Sequence, residues 1–287
     1  MSKSLPSLSI FFPAYNDAGT IASMVLTAKI AAQALTDNYE IIVINDGSQD
    51  HTALILDELK QQIAHLRVIQ HPRNLGYGAT LRSGFKAATK EWVFYTDGDA
   101  QYNPLELPVL VAALRAGVDV VNGYKIRRND PLIRVLLGNI YNWGVKLAFG
   151  IHLKDVDCDY RLMRRAIFDS IELNSVTGSI CVEMIKKIQD AGYIFAEAPV
   201  SHYHRQYGIS QFFNWRRLLR TVQHLLTLWW QLVLKRKRAG YPYFINCTSK
   251  PGTPQKKPAT LMNRKTAKAS AAPLSHSRVP RSSRTRP

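Results

Sequence analysis

The segment WVFYTDGDAQ, residues 92–101, passes from five aromatic or β-branched residues to a pair of carboxylates. Such residues favour a buried strand, and Asp97-Gly98-Asp99 then predicts a turn where that strand ends. The same order occurs in EIIVINDGS, residues 40–48. A third apolar run, residues 8–12, is followed by Tyr15-Asn16-Asp17. Each polar cluster therefore follows the carboxyl end of a predicted strand.

Strands alternate with helical segments over the first 125 residues. We predict strands at 8–12, 40–44, 66–69, 92–96 and 118–121, and helices at 19–35, 50–63, 78–88 and 104–116. Pro13 is expected to end the first strand. This alternation predicts a mostly parallel α/β sheet flanked by helices, in which ligands bind outside the carboxyl ends of the strands. Further along, helices are expected at 133–149 and 180–191 and a strand at 193–200, with 201–211 as a loop.

Basic charge is concentrated in the C-terminal third of the chain. The 287 residues carry 38 Lys and Arg against 21 Asp and Glu, a formal charge of +17. Residues 1–197 are nearly balanced, with 20 basic and 21 acidic residues, whereas residues 198–287 hold 18 basic residues and no acidic one. A hydrophobic content of 46% allows a sizeable core. These figures exclude a fully disordered chain and a uniformly basic one.

Cysteine usage and hydropathy indicate the compartment. The three cysteines, Cys158, Cys181 and Cys247, form no C-x-x-C pair, which argues against a disulfide framework and a structural zinc site and fits a reducing compartment. The N-terminal residues show no signal-peptide pattern. The longest nearly unbroken apolar run, Leu225–Leu234, is about half as long as the roughly 20 residues that a membrane-spanning helix needs. We therefore do not expect a transmembrane helix.

Three regions are expected along the chain: an α/β domain at 1–213, a basic amphipathic helix at 214–238 and a disordered basic tail at 239–287. At 100° per residue the Leu, Val and Trp residues of 219–233 share one face, opposite Arg220 and His224. Basic clusters lie at both ends of this helix. An apolar face between basic clusters suits a helix lying in a membrane interface, and packing on the domain or on a dimer partner is the alternative.

Several polar residues invite a chemical interpretation beside a purely structural one. Asp97 and Asp99 can face one point and hold a divalent ion, or form a solvated acidic turn. Asp46 can accept from a nucleobase N–H, or serve as a turn or helix-capping residue. Tyr15 can stack on a base, or be an ordinary edge aromatic. Arg205 can bind phosphate, or be solvated.

The glycine-rich segment NLGYG, residues 74–78, matches neither the dinucleotide fingerprint nor a P-loop. It predicts a tight loop entering a helix, with Gly84 allowing close packing. His202 and His204 form an H-x-H pair, which we interpret as part of a loop rather than a zinc site.

Taken together, these motifs resemble a known family. The ordered set PAYND (13–17), NDGS (45–48), NLGYG (74–78) and DGDAQ (97–101) is similar to that of family-2 glycosyltransferases with the Rossmann-like GT-A fold. Three later segments resemble the branch of dolichol-phosphate mannosyltransferases and bacterial polyprenyl-phosphate glycosyltransferases: Asp155–Leu162, Glu183-Met184 and Arg205–Ser210. The resemblance covers roughly residues 6–215.

The resemblance implies roles for particular residues. It implies a nucleotide-sugar site formed by Pro13, Tyr15, Asp17, Asp46, Asp97, Gly98, Asp99, Gln101, Lys125 and Arg205. Mg²⁺ or Mn²⁺ would be held by Asp97 and Asp99 with help from Gln101. Asp99, Arg205 and Asp157 would carry the catalytic roles. Asp155 or Asp157 would orient the sugar or the acceptor, with ion pairs to Arg161 or Arg164 as the structural alternative.

Three positions depart from the pattern of the relatives. Asp17 stands where many have Glu, Asn45 where many have a second Asp, and Gln211 where the mannosyltransferases have Lys. The last departure weakens or removes one phosphate contact. These departures bear on the donor base and sugar more than on the reaction.

The implied reaction is an inverting, metal-dependent sugar transfer from a GDP- or UDP-sugar to polyprenyl phosphate. A phosphate acceptor is already anionic at neutral pH, whereas an acceptor hydroxyl would need a general base. The enzyme would lie peripherally at the cytoplasmic face of the membrane, held by residues 214–238. Three alternatives stay open: transfer to a sugar hydroxyl in the cell envelope, polyanion binding through the basic region without specific nucleic-acid recognition, and a catalytically silent nucleotide-sugar binder. The oligomeric state is open as well.

Overall fold

A computed structural model describes residues 4–128, 132–205, 207 and 215–235. Within these ranges the strands are β1 Leu8–Ala14, β2 Tyr39–Asn45, β3 Leu66–Gln70, β4 Trp92–Thr96, β5 Val120–Arg128, β6 Tyr160–Arg164 and β7 Phe195–His202. The α-helices are α1 Ile21–Leu35, α2 Thr52–Gln62, α3 Tyr77–Ala87, α4 Leu107–Ala112, α5 Leu132–Phe149, α6 Ile167–Ser170, α7 Ile180–Asp190 and α8 Trp215–Trp229.

The described strands form one sheet in the order β3-β2-β1-β4-β6-β5-β7. β1 pairs in parallel with β2 and β4, β2 with β3, and β5 with β7. β6 runs antiparallel to both of its neighbours, β4 and β5. The carboxyl ends of the parallel strands and the amino end of β6 therefore meet at one edge, which we call the carboxyl edge. The predicted mostly parallel sheet is confirmed.

Hydrophobic side chains fill both faces of the sheet. One cluster packs α1, α2 and α4 against one face, and a second packs α3 and α7 against the other. Neighbouring residues of β1 alternate between them, Phe12 in the first and Phe11 in the second. A Cβ added at Gly84 on α3 would lie 2.3 Å from the Phe11 ring. Gly84 therefore allows the close helix–sheet packing that the sequence predicts.

The expectation that Pro13 ends the first strand is wrong. β1 continues to Ala14, with Pro13 paired to Ile44 of β2. The β1–β4 pairing, by contrast, ends at Phe11 and Tyr95. The Pro13 carbonyl accepts from Gly98 N at 3.2 Å on the β4 side. The amide nitrogen and the carbonyl of a strand residue point to the same side, so the nitrogen of Pro13 also faces β4. Because the β1–β4 ladder has already ended before Pro13, its missing N–H costs no ladder hydrogen bond.

Two further predictions need correction. The helix expected at 104–116 is a 3₁₀ turn at Pro104–Glu106 followed by α4, which ends at Ala112. It ends early because the backbone tightens there, with Ala113 N donating to Leu110 O, a bond of the 3₁₀ type. The strand predicted at 118–121 begins at Val120 and runs on to Arg128. β6 was missed because its residues and the loop before it carry several charges, although its second residue, Arg161, is fully buried.

The predicted C-terminal helix corresponds to α8 and a π-helical segment, Trp230–Lys235. A third apolar cluster joins it to α5 through Phe149, Leu228 and Val233. Residues 208–214 and the whole of 236–287, including the predicted tail, lie outside the described residues. Among the helices that are described, none combines the length and the apolar character required to cross a membrane.

Candidate active site

The carboxylates of DGD lie at the carboxyl end of β4, beside β1 at the middle of the sheet. On leaving β4 the chain turns through Ala100, which has a φ of 59°. Asp99 Oδ1 accepts from Gln101 N at 3.0 Å, and Asp97 Oδ1 accepts from the Tyr77 hydroxyl at 2.8 Å. The order of strands reverses between β1 and β4, so this is the switch point at which ligands bind in open α/β sheets.

Asp17 brings a third carboxylate to the same place. It follows β1, and its Oδ2 lies 3.4 Å from where a Cβ on Gly98 would be. Burial raises the pKa of Asp17 to about 6 from an ordinary 3.8, and the nearby charge of Asp99 adds to the shift. Burial, then the charges of Asp159 and Asp99, raise the pKa of Asp97 well above its usual range. Burial also raises the pKa of Asp99. Burial is the first cause of all three shifts, and neighbouring carboxylates add to it.

Arg205 supplies the positive charge that contacts this cluster. Its Nη2 donates to Asp99 Oδ2, and this proximity opposes the rise of the Asp99 pKa. The loop after β7 is held there by two bonds, Tyr203 N to Gln101 O at 2.8 Å and Gln101 Nε2 to Tyr203 O at 3.3 Å. The side-chain amide of Gln101 therefore ties β7 to the DGD turn.

The fit of a divalent cation depends on this donor set. No group of three or more His, Cys, Asp or Glu side chains in the described ranges is arranged to hold a metal ion. Magnesium sites at phosphates, however, commonly use one or two carboxylates and complete their shell with phosphate oxygens and water. Asp97 and Asp99 match that requirement, because both offer carboxylate oxygens from one turn and lie close enough for the charge of Asp99 to act on Asp97.

Asp46 follows β2 and is almost fully buried. Its Oδ1 accepts from His71 Nδ1 at 2.7 Å and from Leu75 N at 2.9 Å, and its Oδ2 accepts from Gly76 N at 3.0 Å. The structure therefore uses Asp46 to hold the loop that enters α3. Pro13 is buried nearby on β1, the strand next to β2.

The loop at 74–78 connects Asp46 to the DGD turn. Gly76 has a φ of 95°, and a Cβ there would lie 2.7 Å from the Val176 carbonyl. Only glycine adopts this conformation and tolerates this approach without strain. Asp46 accepts hydrogen bonds from the backbone of this loop at Leu75 and Gly76, and the hydroxyl of Tyr77 donates to Asp97. Tyr77 stays protonated and acts as a donor, because burial raises its pKa well above 10.

The turn connecting Tyr15 to Asp17 is cross-linked to the loop after β2. Tyr15 N donates to Asp17 Oδ2 at 3.0 Å, and Asn16 N donates to Ser48 Oγ at 3.0 Å. Asn45, one of the positions that departs from the relatives, accepts from Ser48 N at 3.1 Å. These bonds fix the relative positions of the two loops, with Tyr15 half-buried between them.

A second acidic loop, residues 155–159, precedes β6 at the same edge. Lys125 Nζ donates to the Asp157 carbonyl at 2.9 Å and lies 3.7 Å from Asp155 Oδ2. Burial raises the pKa of Asp157, and Lys125 opposes that rise. The ion pairs expected as the structural alternative differ from those observed, since Arg161 pairs with Asp159 and Arg164 with Glu91.

The buried side chain of Arg161 holds the loop 155–159 in place through four hydrogen bonds. Its guanidinium donates to Asn122 Oδ1 at 2.7 Å, to the Val156 carbonyl at 2.6 Å, to Asp159 Oδ1 at 3.1 Å and to the Tyr95 hydroxyl. Sequence reasoning missed this role, because the partners come from β4, β5 and the loop itself.

Of the residues predicted to form the site, the structure brings Asp17, Asp97, Asp99 and Arg205 into one cluster, and the loop 74–77 links Asp46 to it. Lys125 and Asp157 lie farther along the same sheet. Asp157 precedes β6, the second strand from β1, and Lys125 is on β5, the third. Gln211 lies outside the described residues. His71 and Tyr77 were not predicted. His71 directly follows β3, so the rule that selected Asp17, Asp46 and Asp97 would have found it.

Comparisons with known proteins agree with this architecture. Residues 9–172 match the family model described as Glycosyl transferase family 2. The chain belongs to glycosyltransferase family 2. It is therefore a glycosyltransferase, and the GT-A fold expected from its motifs is confirmed by the sheet described above and by the solved structures below.

Curated relatives narrow the likeness. The chain is 31% identical over 231 residues to an undecaprenyl-phosphate 4-deoxy-4-formamido-L-arabinose transferase of Aeromonas hydrophila subsp. hydrophila, a match covering 79% of this chain and 66% of that protein. A transferase of the same description from Pseudomonas fluorescens is 30% identical, with 77% and 64% covered. The matched part of the chain thus spans about two thirds of the length of these relatives.

Solved structures show the fold. Glucosyl-3-phosphoglycerate synthase from Mycobacterium tuberculosis, in complex with Mn²⁺, uridine diphosphate and phosphoglyceric acid, superposes with a TM-score of 0.60. That match has 18% identity and covers 83% of this chain and 80% of the synthase. Its complex with Mn²⁺ and UDP-glucose gives a TM-score of 0.60 over 78% of each chain.

Proposed function

We propose that this glycosyltransferase moves a sugar, with inversion, from a nucleotide-sugar to polyprenyl phosphate. The observation that carries the proposal is the cluster of Asp97 and Asp99 closed by Arg205 at the switch point of the sheet. Such a cluster suits a diphosphate bound through a cation. The acceptor is inferred from relatives that are described as undecaprenyl-phosphate sugar transferases.

On the donor side, Asp97 and Asp99 would hold Mg²⁺ or Mn²⁺, with Gln101 bracing the turn. When bound, the ion neutralises charge that grows on the departing nucleoside diphosphate. Arg205 would bind a phosphate of the donor when its guanidinium leaves Asp99, since a guanidinium can bind two phosphate oxygens at once. Pro13, Tyr15 and Asp46 would receive the base and ribose, and Asp17 supports Tyr15 through its backbone amide.

On the acceptor side, no strong general base is required. A phosphate monoester is anionic at neutral pH and can attack the anomeric carbon directly, which inverts that centre. Asp157 would orient the sugar or the acceptor, and Lys125 holds its backbone in place. Lys125 would also add positive charge near the phosphates, as the resemblance implies.

We propose further that residues 214–238 hold the enzyme peripherally at the inner face of the membrane. Leu226 and Trp230 are 62% and 48% exposed, and Trp143 and Leu147 of α5 are 68% and 70% exposed. An apolar groove of about 350 Å³ lies between α5 and α8. The sequence places basic clusters at both ends of residues 214–238, and each basic residue near an anionic surface contributes about 1 kcal/mol. In this proposal residues 1–213 are the catalytic domain.

The experiment measures transfer of radiolabel from a panel of UDP- and GDP-sugars into polyprenyl phosphate in vesicles, with Mn²⁺ or with EDTA. The variants are Asp99→Asn and, as a matched control, Asp57→Asn on the exposed side of α2. We expect label in the lipid fraction, lost with EDTA and in Asp99→Asn but kept in the control. A different result would be metal-dependent release of nucleoside diphosphate only when a sugar hydroxyl is supplied. That result would show that the acceptor is a hydroxyl and not a lipid phosphate. Silence with every donor would refute the proposal.

A further inference from the structure

A chain of hydrogen bonds behind Asp46 has no role in the function proposed so far. His71 follows β3, and its Nδ1 lies 2.7 Å from Asp46 Oδ1 while its Nε2 lies 2.9 Å from Ser83 Oγ on α3. The side chains of His71 and Asp46 are 8% and 5% exposed. Because a carboxylate only accepts, Nδ1 carries a proton and donates to Asp46, and Nε2 forms the second hydrogen bond with the Ser83 hydroxyl. The imidazole is thus held at both ends.

This arrangement limits what Asp46 can still bind. A carboxylate offers about four acceptor positions, two on each oxygen. In the described part of the chain, His71 and Leu75 N occupy both positions on Oδ1, and Gly76 N occupies one on Oδ2. One acceptor position is left, and it belongs to Oδ2.

We propose that His71 is a positioning residue that sets nucleobase selectivity, by leaving Asp46 a single acceptor for the base. This inference rests on the proposed nucleotide-sugar site. The pairing edge of uracil carries one N–H between two carbonyl groups. The corresponding edge of guanine carries two adjacent donors, a ring N–H and an amino group, and matches a carboxylate with both oxygens available. The geometry at Asp46 therefore favours a uridine over a guanosine donor.

The proposal predicts the effect of removing the imidazole. In His71→Leu, Oδ1 regains an acceptor position, so the second donor of guanine gains a partner. The carboxylate also loses the bond that orients it, which weakens the binding of uridine nucleotides. His71→Asn keeps an N–H near the place of Nδ1 and retains the limitation. A purely structural role for His71 would weaken both nucleotides alike and leave their ratio unchanged.

The test measures binding of UDP and of GDP to the full chain by calorimetry in the presence of Mn²⁺. We expect wild type to bind UDP at least about tenfold more tightly than GDP, the value of one hydrogen bond to a charged group. His71→Leu should reduce this ratio about tenfold, and His71→Asn should keep it within about threefold of wild type. His65→Leu is the control, because His65 is exposed and precedes β3 at the opposite end.

The outcomes separate this inference from the function beneath it. Wild type that binds neither nucleotide would refute the proposed function and the inference with it. Wild type that prefers GDP, or a His71→Leu ratio equal to that of wild type, would overturn the inference alone. Thermal melting of each variant reports folding. Should His71→Leu not fold, His71→Gln takes its place, because a Gln amide lies near the position of Nε2, toward Ser83, and leaves Asp46 Oδ1 without its donor. Its ratio should also fall about tenfold, and an unchanged ratio in that variant would overturn the inference.

Discussion

Two acidic loops lie at the same edge of the sheet, and they differ in how their charge is matched. In residues 155–159 a carboxylate meets a buried cation, with Asp159 on the fully buried Arg161, and Lys125 lies beside Asp155. Around the DGD turn, the buried carboxylates of Asp17 and Asp99 and the partly buried one of Asp97 are approached by one partly exposed arginine. Among the described residues, these three carboxylates share that one cation, and Asp99 forms the ion pair with it.

The difference separates a supporting region from a binding region. A buried charge with several hydrogen bonds contributes to one defined local structure, and its removal leaves its partners unsatisfied. A cluster of carboxylates that share one cation costs stability, and it is the kind of site that functional regions retain. The second loop is therefore expected to respond to mutation through stability, and the DGD turn through activity.

The largest effect is expected for the supporting region. Arg161→Met removes four hydrogen bonds and leaves the partly buried Asp159 without its cation. The free energy of unfolding should fall by about 3–5 kcal/mol, as measured by urea denaturation. Arg165→Met is the control, because Arg165 is partly exposed and pairs with the exposed Asp169; it should cost less than about 1 kcal/mol. Equal losses in both variants would remove the distinction drawn here.

Asp99→Asn should show the opposite behaviour. We expect sugar transfer to fall by about 10²–10³-fold, comparable to the loss of one electrostatic group in an active site. The free energy of unfolding should stay the same or rise, because burial already favours the neutral form of Asp99. Transfer and urea unfolding are measured on the same preparation. A variant that loses activity only in proportion to lost stability would contradict the assignment.

Much of this contrast could be predicted from the sequence, and the physical reason is positional. Asp17, Asp46 and Asp97 each come just after an apolar or β-branched run, so a parallel sheet necessarily brings them to one edge. The same runs predicted β2 and β4 nearly residue for residue. Local pattern was sufficient because these strands are buried on both faces and contain almost no charge.

The remaining features depend on pairings between distant residues. Arg161 is buried only because Tyr95 and Asn122, from two neighbouring strands, supply partners, and no local pattern reveals that. The side-chain amide of Gln101 was expected at a metal, but the structure has it donating to the Tyr203 carbonyl, about a hundred residues away. The position of a polar cluster was therefore predictable, whereas the direction of each side chain was not.

The raised pKa of Asp17 makes the free energy of unfolding depend on pH. Since folding raises its pKa from 3.8 to about 6, the folded protein holds this proton more tightly than the unfolded chain. The free energy of unfolding should therefore fall as pH rises from about 4 to about 6 and stay lower above that, by up to about 3 kcal/mol. Urea denaturation in EDTA measures it. Asp17→Asn should flatten this part of the profile, whereas Asp57→Asn should not, and identical slopes in all three proteins would contradict the pKa shift.

The smallest effect tests whether the loop 74–77 belongs to the binding region. Tyr77→Phe removes only the hydroxyl that donates to Asp97, so stability should change by no more than about 1.5 kcal/mol. Because Asp97 loses the bond that orients it, the Mn²⁺ concentration for half-maximal transfer should rise about three- to tenfold. Tyr193→Phe is the matched control. The Tyr193 hydroxyl also makes a hydrogen bond, to Ser170, but Tyr193 precedes β7 and so lies at the opposite edge of the sheet. If both variants need the same Mn²⁺ as wild type, Tyr77 serves packing alone, and the binding region stops at the DGD turn.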